Sequence, residues 1–177
     1  MNNRLGPLEY INGSWIIGDP NKDHLRFEQS GMSHRVGGVE EPPVPWDAFT
    51  EMEIYAVATR LGNSKGLAKA TQIMANLRGA SVSGGGPAHL MAHLRNGRGA
   101  WKAEFSHHAR WYPPREIRIL SRFLGQVAER GEASHLGDPA WVSTVVERLR
   151  QLPHSLPRAR KAAIKQILDD CPLILKG

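Results

Sequence analysis

The dipeptide Asn96-Gly97 constrains the fold more than any other pair in this chain. It separates two runs, 88–95 and 98–105, that each alternate apolar and polar residues, and Asn-Gly suits the two positive-φ positions of a type I′ turn. If Arg95 opposes Arg98 across that turn, paired residue numbers sum to 193. Leu94 then faces Gly99, Ala92 faces Trp101, Leu90 faces Ala103 and Ala88 faces Phe105, all on one side. The other side carries His93 opposite Ala100, Met91 opposite Lys102 and His89 opposite Glu104. Each arm's own alternation agrees with the register the turn imposes, so both signals point to a half-buried antiparallel hairpin. Pro113 and Pro114 follow at once and start a helix, which makes 88–124 the joint between a strand-rich front and a helical back.

Ahead of the joint, Leu8–Ile17 reads as strand, with Asn12-Gly13 inside it as a tight turn or bulge, and Gly18–Asn21 closes it. His24–Gln29 alternates Leu25 and Phe27 against polar neighbours, a strand pattern, and Gly31–Gly38 turns the chain back through Ser33–Val36. The proline-dense run at 40–45 cannot donate a continuous ladder, so it belongs at an edge or in a loop. Residues 47–60 admit a helix capped by Asp47 or a strand with Met52, Ile54, Ala56 and Ala58 on one face. The β-branched and aromatic content favours the strand.

Residues 62–87 read as an inserted helix capped by Ser64 and stopped by Gly79, then a Gly-rich loop. Past the joint, three helices follow. The first covers 115–130, with Ile117, Leu120, Leu124 and Val127 on its buried side and Gly131 as its stop. The second runs from Pro139 to Leu152, capped by Asp138, with Trp141, Val142, Val145, Val146 and Leu149 inward. The third spans about 157–170 and buries Ala163, Ile167 and Leu168.

A hydrophobic-Pro-Trp-Asp step leading into an alternating strand, here Val44, Pro45, Trp46, Asp47 and Phe49, resembles bacterial PH-like domains. The resemblance covers residues 5–131 and implies several antiparallel strands followed by a helix; residues 62–87 depart from it as an insertion. The expected fold is therefore α+β. A PH-like sheet or barrel with a helical insertion at 62–87 would occupy 1–131, and a helical extension would occupy 132–177 and pack on it.

Charge divides with the architecture. Residues 1–60 carry five Lys/Arg against nine Asp/Glu, whereas residues 61–177 carry eighteen against eight. A basic half of that kind either meets the acidic half or an anionic partner. Sixteen of the 23 cations are arginine, which suits bidentate contacts to carboxylate or phosphate. Arg95 and Arg98 flank the hairpin tip, Lys102 and Arg110 are assigned to its outer face, and Arg115, Arg118 and Arg122 lie along the solvent side of the next helix. Arg158, Arg160, Lys161 and Lys165 follow along the last. Arg95, Arg98, Lys102, Arg110, Arg115 and Arg118 are the candidate anion- or partner-binding residues. Trp101 and Trp111 fall on the core side by register, which removes them as base-stacking groups.

Other chemistry is thinner. His89 and His93 would suit a metal at i and i+4 of a helix, but in the hairpin they are separated along one face, so no metal site and no cofactor is expected. Gly84–Gly86 lacks the Gly-Lys-Ser/Thr of a phosphate-binding loop, and no Gly-x-Ser-x-Gly elbow occurs. Cys171 is the single cysteine; carboxylates at 169 and 170 disfavour its thiolate, so it reads as inert. No apolar run is long enough to span a bilayer, and MNNRLGPLEY has no apolar signal core, so a cytoplasmic location is expected. The reading that follows is a non-catalytic binding or scaffold module for a protein or peptide, with homodimerisation open to it. A nucleic-acid-associated protein is the alternative, and a metal-dependent enzyme using the histidines comes third.

Overall fold

The computed structural model describes residues 3–56, 88–95, 99–153 and 157–172. It is an α+β protein. Its first sheet is an antiparallel meander of β1 (Arg4–Leu5), β2 (Leu8–Ile11), β3 (Ser14–Ile17), β4 (His24–Phe27), β5 (Gly31–Val36) and β6 (Val39–Glu40), with β7 (Val44–Pro45) also on β5. The second sheet orders β10 (Ala100–Glu104), β9 (His89–Leu94) and β8 (Phe49–Tyr55). Among the described residues the two sheets do not close into one barrel. Helices α1 (Pro114–Glu129), α2 (Pro139–Arg150) and α3 (Pro157–Asp169) complete the chain. The inserted helix expected at 62–87 and the Asn96-Gly97 turn with Arg98 lie outside the described residues.

The hairpin register is as the turn dictates: His93 pairs with Ala100, Ala92 with Trp101, Leu90 with Ala103 and His89 with Glu104. The strand reading of 49–55 also holds, with Met52 and Ile54 buried and Glu51 and Glu53 exposed. Of the two readings at Asn12-Gly13 the tight turn holds, dividing residues 8–17 into two strands. Asn12 (φ 50°) and Gly13 (φ 86°) make a hairpin turn, pairing Leu8 with Ile17 and Tyr10 with Trp15. Prolines 42 and 43 break the edge against β5 into β6 and β7. A Cβ on Gly31 would stand 2.2 Å from the Val44 carbonyl oxygen, so that pairing requires glycine.

Asp138 Oδ1 accepts from the backbone N–H of Ala140 and Trp141 and so caps α2. All five residues expected on the inner side of α2 are buried. On α1 the buried face is wider than expected, adding Ile119, Phe123 and Ala128. On α3 Leu168 is buried as expected and Ile164 is buried with it, while Ala163 and Ile167 are half-buried. The core is continuous from Leu5 to Cys171 and joins both sheets to all three helices. Trp46 is the hinge of the two sheets. It packs edge-on against Phe27, tilts against Phe49, and donates its indole N–H to the Glu28 carbonyl at 2.8 Å.

Both edges of the second sheet are met by side chains. Ser121 Oγ of α1 accepts from Ile54 N at 3.3 Å on β8, and His34 Nε2 lies 2.8 Å from the Glu104 carbonyl of β10. Such contacts blunt a strand edge that would otherwise template further pairing.

Candidate functional site

The expected cationic residues do not form one surface. Arg95 is exposed at the hairpin end, its backbone N–H donating to Ala48 O at 2.7 Å. Lys102 pairs with Glu104 at 2.7 Å, both partly exposed. Arg110 is not on the outer hairpin face. It folds back onto the first sheet, donating to Glu9 Oε2 at 2.9 Å and Gly6 O at 3.2 Å. Arg115 is anchored by the Leu152 carbonyl and by Pro153 O at 3.4 Å. Arg118 and Arg122 are exposed on α1.

His89 stacks on Tyr55, and His93 faces Glu51 at 3.8 Å. Trp101 is half-buried against Phe49 and His34. Trp111 corrects the expectation: it is 56% exposed. The alternation that assigned it inward ends where the ladder ends, at the Phe105–Ala88 bond. Beyond it Ser106 N turns to Asp23 O, and the chain leaves the sheet.

The helices do bring charge together. Arg115, Arg118 and Arg122 occupy i, i+3 and i+7 of α1, one side of the helix. Three contacts set α1 beside α3. Arg115 reaches the segment just ahead of α3, Gln126 Nε2 donates to Lys161 O at 3.2 Å, and Arg130 pairs with Asp169 at 2.7 Å. The two helices therefore advance in the same sense, with the start of α3 beside the second half of α1. Arg160 is half-buried and directly precedes Lys161, whose carbonyl meets Gln126. Its guanidinium is weakened as a base first by burial, then by the charges of Arg118, Arg115 and Arg122.

Arg115 in the first turn of α1, and Arg158 and Arg160 in the first turn of α3, stand at the wrong end for the helix macrodipoles. Cations are favoured at the last turn, yet neither α1 nor α3 has one there, and α3 has no acidic residue in its first turn. Arg158, Lys161 and Lys165 extend the exposed face along α3. Glu116 is in the first turn of α1, and at the far end Arg130 holds Glu132 and Asp169, each at 2.7 Å. The depression beside them, lined by Arg130, Glu132, His135, Asp169 and Pro172, thus has its main cation neutralised.

A second polar cluster is interior. The Tyr112 hydroxyl accepts from the His108 backbone N–H at 2.8 Å and sits 2.6 Å from His108 Nδ1. His108 Nε2, on the other side of the ring, lies 3.3 Å from Glu9 Oε2 without a hydrogen bond. The Glu9 charge is already taken by Arg110. Burial and then the Arg110 charge push the His108 pKa down to about 4, and burial pushes Tyr112 up to about 12. A carboxylate, an imidazole and a hydroxyl in series have the order of a catalytic relay, but Tyr112 has 0% exposure and cannot touch a substrate. The cluster is a structural lock that ties the 105–113 loop to β2.

The signal for the helical site was present in the sequence as the 115/118/122 spacing. Arg160 was one of four basic residues on α3, and nothing local distinguished it from its neighbours. No family model matches the chain, and neither a curated protein nor a solved structure matches it.

Proposed function

We propose that the protein is a non-catalytic binding module that recognises an acidic segment of a protein or peptide partner through the cationic face of α1 and α3. The observation that carries this reading is the exposed cations on two packed helices: Arg118 and Arg122 on α1, and Arg158, Lys161 and Lys165 on α3, which Gln126 joins at the Lys161 carbonyl. Like charges one turn apart on a helix face repel one another, and an anionic partner relieves that cost. A PH-like origin for residues 5–131 belongs to the same proposal; the order of antiparallel strands followed by a helix supports it.

Fluorescence anisotropy with a Glu-rich peptide and a charge-neutral control tests the reading. Binding is expected at low ionic strength, weakening with salt and abolished by the Arg118→Glu/Arg122→Glu double variant. No binding at low salt, or equal binding by the variant, would overturn it. Nucleic-acid association is the second reading, favoured by one observation: exposed Trp111 offers an aromatic face ahead of α1. Retention on duplex DNA with a steep salt slope, lost on Trp111→Ala, would move the conclusion there.

A further inference from the structure

We propose that His34 is held as an imidazolium and works as a proton-operated clasp, fastening the proline-dense edge that begins at Glu41 to the junction of the two sheets.

Alternation puts Met32 and His34 on one face of β5, and both are buried, His34 with 8% exposure. Each ring nitrogen meets one oxygen. Nε2 lies 2.8 Å from the Glu104 carbonyl on β10, and Nδ1 lies 3.1 Å from Glu41 Oε2. A carbonyl and a carboxylate accept and do not donate, so both bonds form only if both nitrogens carry a proton. A neutral imidazole has one N–H and serves one of the two. The doubly protonated ring makes both, and the contact to Glu41 becomes charge-assisted.

The other groups around the ring leave Glu41 as its counter-ion. Leu25, opposite His34 on β4, brings no charge, and neither do Val44 and Pro45 of β7. On β6 Glu40 pairs with Arg26 at 3.2 Å, and Arg35 projects from the opposite face of β5. On β10 the Glu104 carboxylate holds Lys102 at 2.7 Å, and Trp101 meets the ring edge-on at 6.3 Å.

The Glu41 side chain is 49% exposed, which gives the Nδ1 proton a way out to water. Once that proton has left, Nδ1 and the carboxylate are two acceptors in contact, and they part. The Nε2–H stays on the buried Glu104 carbonyl. The clasp therefore opens at the 41–45 edge and stays closed at β10. Burial lowers the pKa of His24, His108 and His135, the opposite tendency, so the proton is followed at the His34 ring rather than through global stability.

Histidine side-chain NMR on the 15N-labelled full chain, with the His34 ring assigned through bonds from its backbone, tests the clasp. Near neutral pH both ring N–H protons are expected to be visible, with the two nitrogens resonating as in imidazolium. Raising the pH should remove the Nδ1–H signal while Nε2–H persists, and the Glu41 and Val44 amides should shift with the same midpoint. Glu41→Gln supplies an amide N–H that donates to a bare Nδ1, so this variant is expected to lack the Nδ1–H signal already near neutral pH. If circular dichroism shows that it does not fold, the titration of the parent still decides. A single ring N–H in the parent near neutral pH overturns the imidazolium. Persistence of Nδ1–H in a folded Glu41→Gln overturns the role of Glu41, and amides at 41 and 44 that ignore the titration overturn the clasp.

Discussion

Tyr112 makes the same hydroxyl serve twice, accepting from the His108 backbone and sharing a hydrogen bond with its ring Nδ1, inside a ring stack with His107 at 4.0 Å. Removing that hydroxyl leaves a buried N–H and a buried imidazole nitrogen unsatisfied. Tyr112→Phe is therefore expected to lose about 1–3 kcal/mol of stability, read as a lower urea midpoint at unchanged slope. An unchanged midpoint would mean that water replaces the hydroxyl. Gly31 sets a second limit at this scale. Its Cβ would overlap the Val44 carbonyl, so Gly31→Ala must part β5 from β7, and the variant is expected to melt several degrees lower. A melting temperature equal to that of the parent would refute the close approach.

At the scale of elements, α1 and α3 illustrate local charge placed against local stability. Replacing Arg118 or Arg122 with Gln removes repulsion without disturbing the core, since both side chains are exposed. Each is expected to stabilise the unliganded protein by a few tenths of a kcal/mol, about 0.2–0.5 at low salt, an increment that should disappear at high ionic strength. Thermal denaturation at two salt concentrations checks both halves of that statement; destabilisation at low salt would show that these arginines already have internal anionic partners. Helix α2 behaves in the ordinary way. Asp138 caps it through two backbone N–H groups, so Asp138→Ala should cost about 1 kcal/mol. Chemical denaturation reads that loss directly.

For the molecule as a whole, acid sensitivity should centre on the interior histidines. His108 is neutral in the folded protein with a pKa near 4, against 6.5 when unfolded, and burial lowers His24 and His135 in the same direction. Below pH 6.5 the unfolded chain takes up protons that the folded one refuses. Stability is thus full above that value and falls as pH drops toward 4, with His108 contributing up to about 3 kcal/mol. Urea midpoints at neutral pH and near pH 4.5 test this, and His108→Gln should flatten the dependence. A midpoint that rises on acidification would show His108 to be protonated in the fold, paired with Glu9.

Much of this architecture is written in nearest-neighbour terms and is legible from the residues alone. Asn-Gly between alternating arms sets one register, 93 with 100 and 89 with 104, because a one-residue slip would expose Leu90, Ala92 and Ala103. Asp138-Pro139 starts a helix, Gly131 (φ 70°) stops one, and i, i+3, i+7 spacing identifies the cationic side of α1. Only the tertiary structure decided which cations meet. Arg110 looked like a surface group by alternation, yet Glu9, distant in sequence, draws it into the fold. Trp111 looked buried, yet it follows a chain that has left the sheet. Arg160 comes under the charges of Arg118, Arg115 and Arg122 because the start of α3 packs on α1. Periodicity reports the side of an element on which a residue lies; how two elements pack decides what that side will face.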